Sequence, residues 1–231
     1  MIKPSQWHRL PTVSVVAALP QMTWSAASGE KPAAQTAALM LFVALNFMAT
    51  TWKDDDNQFH ALAEGTYVDL GEATGGISRA MISAGLRRLV GLGLISPEGS
   101  HQKRRYKINW PSEHRFFKLP CKAIVTGTVI APFKHFTMRS KHELHAMKLY
   151  LYFASIRGNH SFYSMASYET IFERTRIPER DIRKAISLLI SSGLLVSVDR
   201  DHKQMLDKNE PNKYYLAGYQ AVVNTQNGAL E

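Results

Sequence analysis

The chain has 231 residues, 45% hydrophobic and 20% charged, which excludes a wholly disordered polypeptide and leaves room for one or two domains. Lys and Arg number 28 against 19 Asp and Glu, a formal net charge of +9, and such a surplus favours a polyanionic partner, nucleic acid or an anionic membrane surface. The sole cysteine, Cys121, excludes an intramolecular disulfide and fits a reducing cytoplasm.

Along the chain, Lys3 and Arg9 precede the apolar stretch Val13–Leu19, with small residues near Ala26. This imitates a signal peptide, but Pro11, Thr12 and Ser14 interrupt the apolar region. An apolar helix is predicted over Pro32–Trp52, with Pro32 in its first turn, where proline is tolerated. Its longest apolar run, Ala37–Ala49, contains Asn46 and falls short of the roughly 18 residues a membrane span needs. Lys53-Asp-Asp-Asp-Asn57 reads as a solvated loop, and Thr66–Leu70 as a short extended piece. Gly75-Gly76 signals a turn. Ser78 is placed to cap a helix that runs to Gly91, because its hydroxyl can accept a free N–H of the first turn. Leu94-Ile95-Ser96 and Tyr106-Lys-Ile108 read as strands joined by a turn at Pro97–Ser100.

The same order returns downstream. A helix is predicted over Lys141–Ile156, an extended piece at Phe162–Met165, a short helix at Tyr168–Arg174 and a turn at Thr175–Ile177. A helix then runs from Pro178 to Ser192, followed by a hairpin of Leu194–Val198 with Lys213–Leu216. The sequence itself repeats. Ile82, Leu86, Leu89, Val90 and Gly93 match Ile182, Ile186, Leu189, Ile190 and Gly193 at an offset of 100. Leu39–Ala44 matches Leu149–Ala154 at 110, and Trp7-His-Arg-Leu-Pro11 matches Phe116-Phe-Lys-Leu-Pro120 at 109. Three blocks in one order argue for two copies of a unit, Trp7–Trp110 and Phe116–Tyr219. The domains are therefore drawn at 1–112 and 113–220, with 221–231 as a disordered tail.

Leu86-Arg-Arg-Leu-Val-Gly-Leu-Gly-Leu-Ile95 and Ile186-Ser-Leu-Leu-Ile-Ser-Ser-Gly-Leu-Leu195, each followed by a hairpin, resemble the end of the recognition helix in winged helix-turn-helix proteins. The resemblance covers nearly the whole chain and implies an α+β, helix-dominated fold of two tandem winged helix-turn-helix domains. The aromatic-x-basic-Leu-Pro segments, together with Lys148-Leu-Tyr-Leu-Tyr-Phe153, resemble plasmid replication initiators more narrowly.

In such a fold the helix after the turn enters the major groove, and residues off its buried stripe reach the DNA. These are Ser78, Arg79, Ser83 and Arg87 in the first copy and Arg176, Arg180, Arg183, Lys184 and Ser187 in the second. The first wing adds Lys103, Arg104, Arg105 and Lys107, a basic hairpin suited to phosphate or a minor groove. The second wing, Asp199–Pro211, mixes acids with lysines and reads as a flexible loop, so the copies are expected to contribute unequally. Arg88, whose counterpart is Leu188, is expected to lay its stem on the core.

Gly71–Gly76 lacks the phosphate-loop pattern. His142 and His145, with Glu143 between them, lack zincin spacing and read as surface histidines. Cys121 reads as an inert thiol, and Tyr150, Tyr152 and Phe153 as core or interface. The expectation is a cytoplasmic DNA-binding protein that is no enzyme, with no cofactor, metal or membrane partner. Three roles stay open: a replication initiator with both units in one chain, a dimeric transcriptional regulator, and a protein-interaction adaptor. Replication or transcription proteins and a second copy of the chain are the further partners these roles imply.

Overall fold

The computed structural model describes residues 1–3, 5–25, 31–99, 104–111, 115–199 and 211–227, the last four by backbone alone. The first half contains β1 (Trp7–Pro11), α1 (Thr12–Ala18), a 3-10 turn at Leu19–Gln21, α2 (Ala33–Met48), β2 (Thr50–Lys53) and β3 (Phe59–Glu64). It continues with α3 (Tyr67–Ala73), α4 (Arg79–Gly91), β4 (Ile95–Glu98) and β5 (Arg105–Ile108). The second half contains β6 (Phe116–Pro120), β7 (Val125–Thr126), β8 (Val129–Ile130), a 3-10 turn at Ala131–His135, α5 (Lys141–Ile156) and β9 (Ser164–Ala166). It ends with α6 (Tyr168–Thr175), α7 (Glu179–Ser192), β10 (Leu195–Asp199), β11 (Asn212–Leu216) and α8 (Tyr219–Asn227). The fold is α+β, with small sheets that are all antiparallel. None of the described helices is long and apolar enough to cross a membrane.

The halves correspond element by element from α2/α5 to β5/β11. One sheet runs β2-β3-β5-β4 and the other β10-β11-β9, so β9 takes the place of β3 and β2 has no counterpart. Every residue of α2 is buried, and this helix packs against α4, β3 and α5. Its close approach to α4 falls at Gly85, where an added Cβ would lie 2.7 Å from Leu41 Cδ1 and 3.0 Å from the Ala38 nitrogen.

The halves are also joined. Strand β1 pairs antiparallel with β6 in the register Trp7↔Pro120, Arg9↔Lys118 and Pro11↔Phe116. Each strand thus pairs with its own repeat, and a local two-fold relation centres between Arg9 and Lys118. Helices α2 and α5 also touch, and one continuous apolar cluster takes residues from both halves. The buried Lys148 of α5 donates to the Met22 carbonyl at 2.9 Å.

Three expectations about the elements need correction. The apolar helix stops at Met48 instead of Trp52, and Thr50–Lys53 forms a strand. The solvated loop expected at Lys53–Asn57 is the exposed turn that joins β2 to β3, passing through Asn57 (φ 60), where Asp54 accepts the Gln58 N–H at 2.8 Å. The extended piece lies at Phe59–Glu64, while Thr66 starts α3. Thr66 Oγ1 accepts the Asp69 N–H and Asp69 Oδ2 accepts the Thr66 N–H, a reciprocal cap. The chain beyond Ala221 is helical through Asn227, with Val222 and Val223 buried.

Candidate nucleic-acid interface

Helix α4 begins where Gly75 (φ 78) and Gly76 (φ 102) turn the chain out of α3. Ser78 caps it, its hydroxyl accepting the Met81 N–H at 3.3 Å. Ile82, Gly85, Leu86 and Leu89 are buried, while Ser78, Arg79 and Arg87 are exposed and Ser83 is half-buried. Helix α7 repeats this phase: Ile182, Ala185, Ile186 and Leu189 are buried, and Arg180, Arg183, Lys184 and Ser187 are exposed. It ends at Gly193, in the left-handed conformation that favours glycine. Val90 and Ile190, which the repeat counts with the apolar stripe, are instead exposed in both copies. Eight residues at 100° each leave them well off the line of Ile82 and Ile182.

In the first copy the start of α4 and the start of β5 come together. Arg79, Arg104 and Arg105 line one depression of about 680 Å³ together with Thr66, Tyr67 and Val68. The Arg104 guanidinium lies 4.3 Å from the centroid of the Tyr67 ring. Arg105 is already engaged, its Nε 2.7 Å from Glu64 Oε1 across the β3–β5 pair. Arg87 Nη1 donates to Ser83 Oγ at 3.2 Å, a contact within their own helix that leaves the other guanidinium donors and the Ser83 O–H available. Lys107 is half-buried between Leu62 and Ser96 on the sheet. Lys103 and most of the second wing, 200–210, lie outside the described residues. Tyr67 and Thr66 escaped the sequence reading because Tyr67 sits 37 positions from Arg104, with no periodicity to link them.

In the second copy Arg176 is exposed in the turn before α7, its guanidinium 5.9 Å from the Phe172 ring centroid. Of the two acids in the first turn, Glu179 is exposed, whereas Asp181 points inward, 4% exposed, where its carboxylate accepts from Lys141 Nζ at 2.8 Å. Burial works to raise its carboxyl, but the hydrogen bond and charge of Lys141 outweigh this and hold it below the ordinary value. The outer face near the start of α7 therefore carries Arg180, Arg183 and Lys184 beside the exposed acid Glu179.

Several residues belong to the framework. His145 is buried rather than on the surface, its imidazole pushed down to about 4, chiefly by desolvation and then by Lys148. His142 is half-buried and also lowered, first by desolvation. Cys121 is 1% exposed, and burial pushes its thiol up to about 11. Tyr150, Tyr152 and Phe153 are core residues. Arg88 leans on the first half's interior, donating to Gln35 Oε1 at 2.9 Å and to the Gln21 carbonyl at 2.8 Å.

Neither family models, nor curated proteins, nor solved structures match this chain.

Proposed function

We propose that the chain binds double-stranded DNA in a sequence-specific way through two winged helix-turn-helix units. The observation that carries this reading is the shared phase of α4 and α7. Each buries its apolar stripe and presents cations and hydroxyls on the opposite face, and in the first unit the wing's Arg104 and Arg105 flank the helix start. Arginine suits the task because its planar fork donates two hydrogen bonds to guanine or to phosphate. The pairing of β1 with β6 and the shared core unite both units in one chain, so two half-sites are read without a dimer. That favours a replication initiator of a plasmid or mobile element over a regulator that must dimerise to gain two units. Selection of bound duplexes from a random library at near-physiological salt tests the reading. An enriched motif with directly repeated sites supports it. Inverted repeats bound by a dimer favour the transcriptional regulator. No enriched motif, with binding that barely responds to salt, favours the adaptor, because each neutralised phosphate adds about −0.9 to the log–log salt slope.

A further inference from the structure

Arg176 joins α6 to α7 with its backbone in the left-handed region, φ 58 and ψ 28. A side chain at such a position is strained, and glycine is the ordinary solution. The repeat supplies an internal comparison. At the offset of 100 that matches Ile77 with Ile177, Arg176 falls on Gly76, whose φ is 102. The turn itself is held without the Arg176 side chain. Thr175 Oγ1 donates to the Ile171 carbonyl at 2.6 Å, and the Arg176 N–H closes onto the Phe172 carbonyl at 2.7 Å.

Core packing does not explain the arginine either, since its side chain is exposed. Among the described residues it forms no ion pair, and Phe172, itself 41% exposed, lies at the outer limit of cation–π range. The two other non-glycine residues with positive φ among the described residues have local reasons. Asn57 tolerates this region in a tight turn, and Met138 packs against the core. Arg176 alone of the three spends backbone strain to hold a charge in solvent.

We propose that Arg176 is a phosphate anchor of the second unit, retained at the expense of stability. The inference rests on the DNA-binding reading above. In a helix-turn-helix the segment before the recognition helix runs along the DNA backbone, and the base edges are left to the helix that follows. A guanidinium fixed at the turn therefore meets a phosphate, which it can hold with two parallel N–H···O bonds. It sets the height at which Arg180 and Arg183 enter the groove and carries no sequence information itself.

The test compares the wild-type chain with Arg176→Gly and Arg176→Asn, both compatible with the left-handed turn. Thermal unfolding is read beside binding to the selected duplex and to a random duplex over a salt series. Arg176→Gly should raise Tm by about 2–4 °C. Both variants should bind both duplexes about 5–10-fold more weakly, with a salt slope shallower by about 0.9. Wild-type affinity and slope in the variants would overturn the anchor, as would a loss confined to the selected duplex. A lower Tm in Arg176→Gly would overturn the trade-off. If the wild-type chain binds neither duplex, the DNA-binding reading falls first and the anchor falls with it.

Discussion

Arg9 and Lys118 stand opposite one another in the β1–β6 ladder, and each is the other's counterpart in the internal repeat. Like charges across an antiparallel pair repel. Desolvation, and then the charges of Arg157 and Arg9, lower the Lys118 ammonium from its ordinary value. Aromatic faces offset the repulsion: Lys118 Nζ is 4.4 Å from the Trp7 ring centroid, and the Arg9 guanidinium is 4.6 Å from that of Phe116 and 5.9 Å from that of Trp7. Trp7→Leu keeps apolar bulk but removes a ring shared by both cations. It should cost about 1–3 kcal/mol, with a smaller loss at high salt, where the two charges are screened. Urea unfolding at low and high salt measures this. An equal loss at both would mean that the ring contributes packing alone.

The contact between α2 and α4 leads to a second prediction. Gly85 occupies the repeat position of Ala185, and its missing Cβ is what lets the α2 backbone come close. Gly-to-Ala ordinarily stabilises a helix interior by up to about 1 kcal/mol. Here the new methyl would press on the Ala38 nitrogen and the Ala37 carbonyl carbon, backbone that cannot swing aside. Gly85→Ala should therefore destabilise the protein by about 1–3 kcal/mol, read as a fall in the denaturation midpoint at constant slope. A more stable variant would mean that the two helices can separate without loss.

Much of this architecture could be read from spacing. The stripe Ile82, Leu86, Leu89 and its repeat gave helix phase and hence the exposed cations, because burial on one side imposes a 3.6-residue period. Ser78 and Gly193 punctuate helices by local chemistry. The misreadings have local causes as well. Thr50-Thr-Trp52 follows the apolar run of α2 with no Gly or Pro between them, and only pairing with β3 makes it a strand. Thr66 and Asp69 form a cap across three residues that resembles an extended segment until the reciprocal bonds are seen. The pairing of β1 with β6, the Tyr67–Arg104 stack and the burial of His145 are long-range outcomes with no periodic signal.

His145 makes stability depend on pH. Its folded value is pushed down to about 4 from an ordinary 6.5, so between these values the unfolded chain takes up a proton that the folded chain refuses. Stability is then lost as pH falls from 6.5 towards 4, by on the order of 2–3 kcal/mol from this group, and is constant in this respect above 6.5. The Asp181 carboxyl, held low by Lys141, titrates below this window. His145→Leu should flatten the curve of unfolding free energy against pH between 4 and 6.5. The same acid loss in the variant would assign it to other groups.

Glu64 and Asp69 are the two acids that line the depression of the proposed interface in the first unit, and Glu64 is the one paired with an arginine there. Its carboxylate holds Arg105 at 2.7 Å beside the depression shared with Arg79 and Arg104. If phosphate is the competing anion, the pair must loosen for Arg105 to bind, and the carboxylate repels the DNA backbone throughout. Glu64→Gln removes the repulsion and keeps the shape. It should tighten duplex binding by roughly 2–5-fold, mainly at low salt where exposed charges act furthest. Arg105→Ala should in turn cost less affinity than Arg104→Ala, since Glu64 already claims part of the Arg105 donor set. Arg79→Ala, at the start of α4, should lose about 1–3 kcal/mol on the selected duplex and less on random DNA. Weaker binding by Glu64→Gln would reverse this account, making the carboxylate a support that aims Arg105 at the DNA.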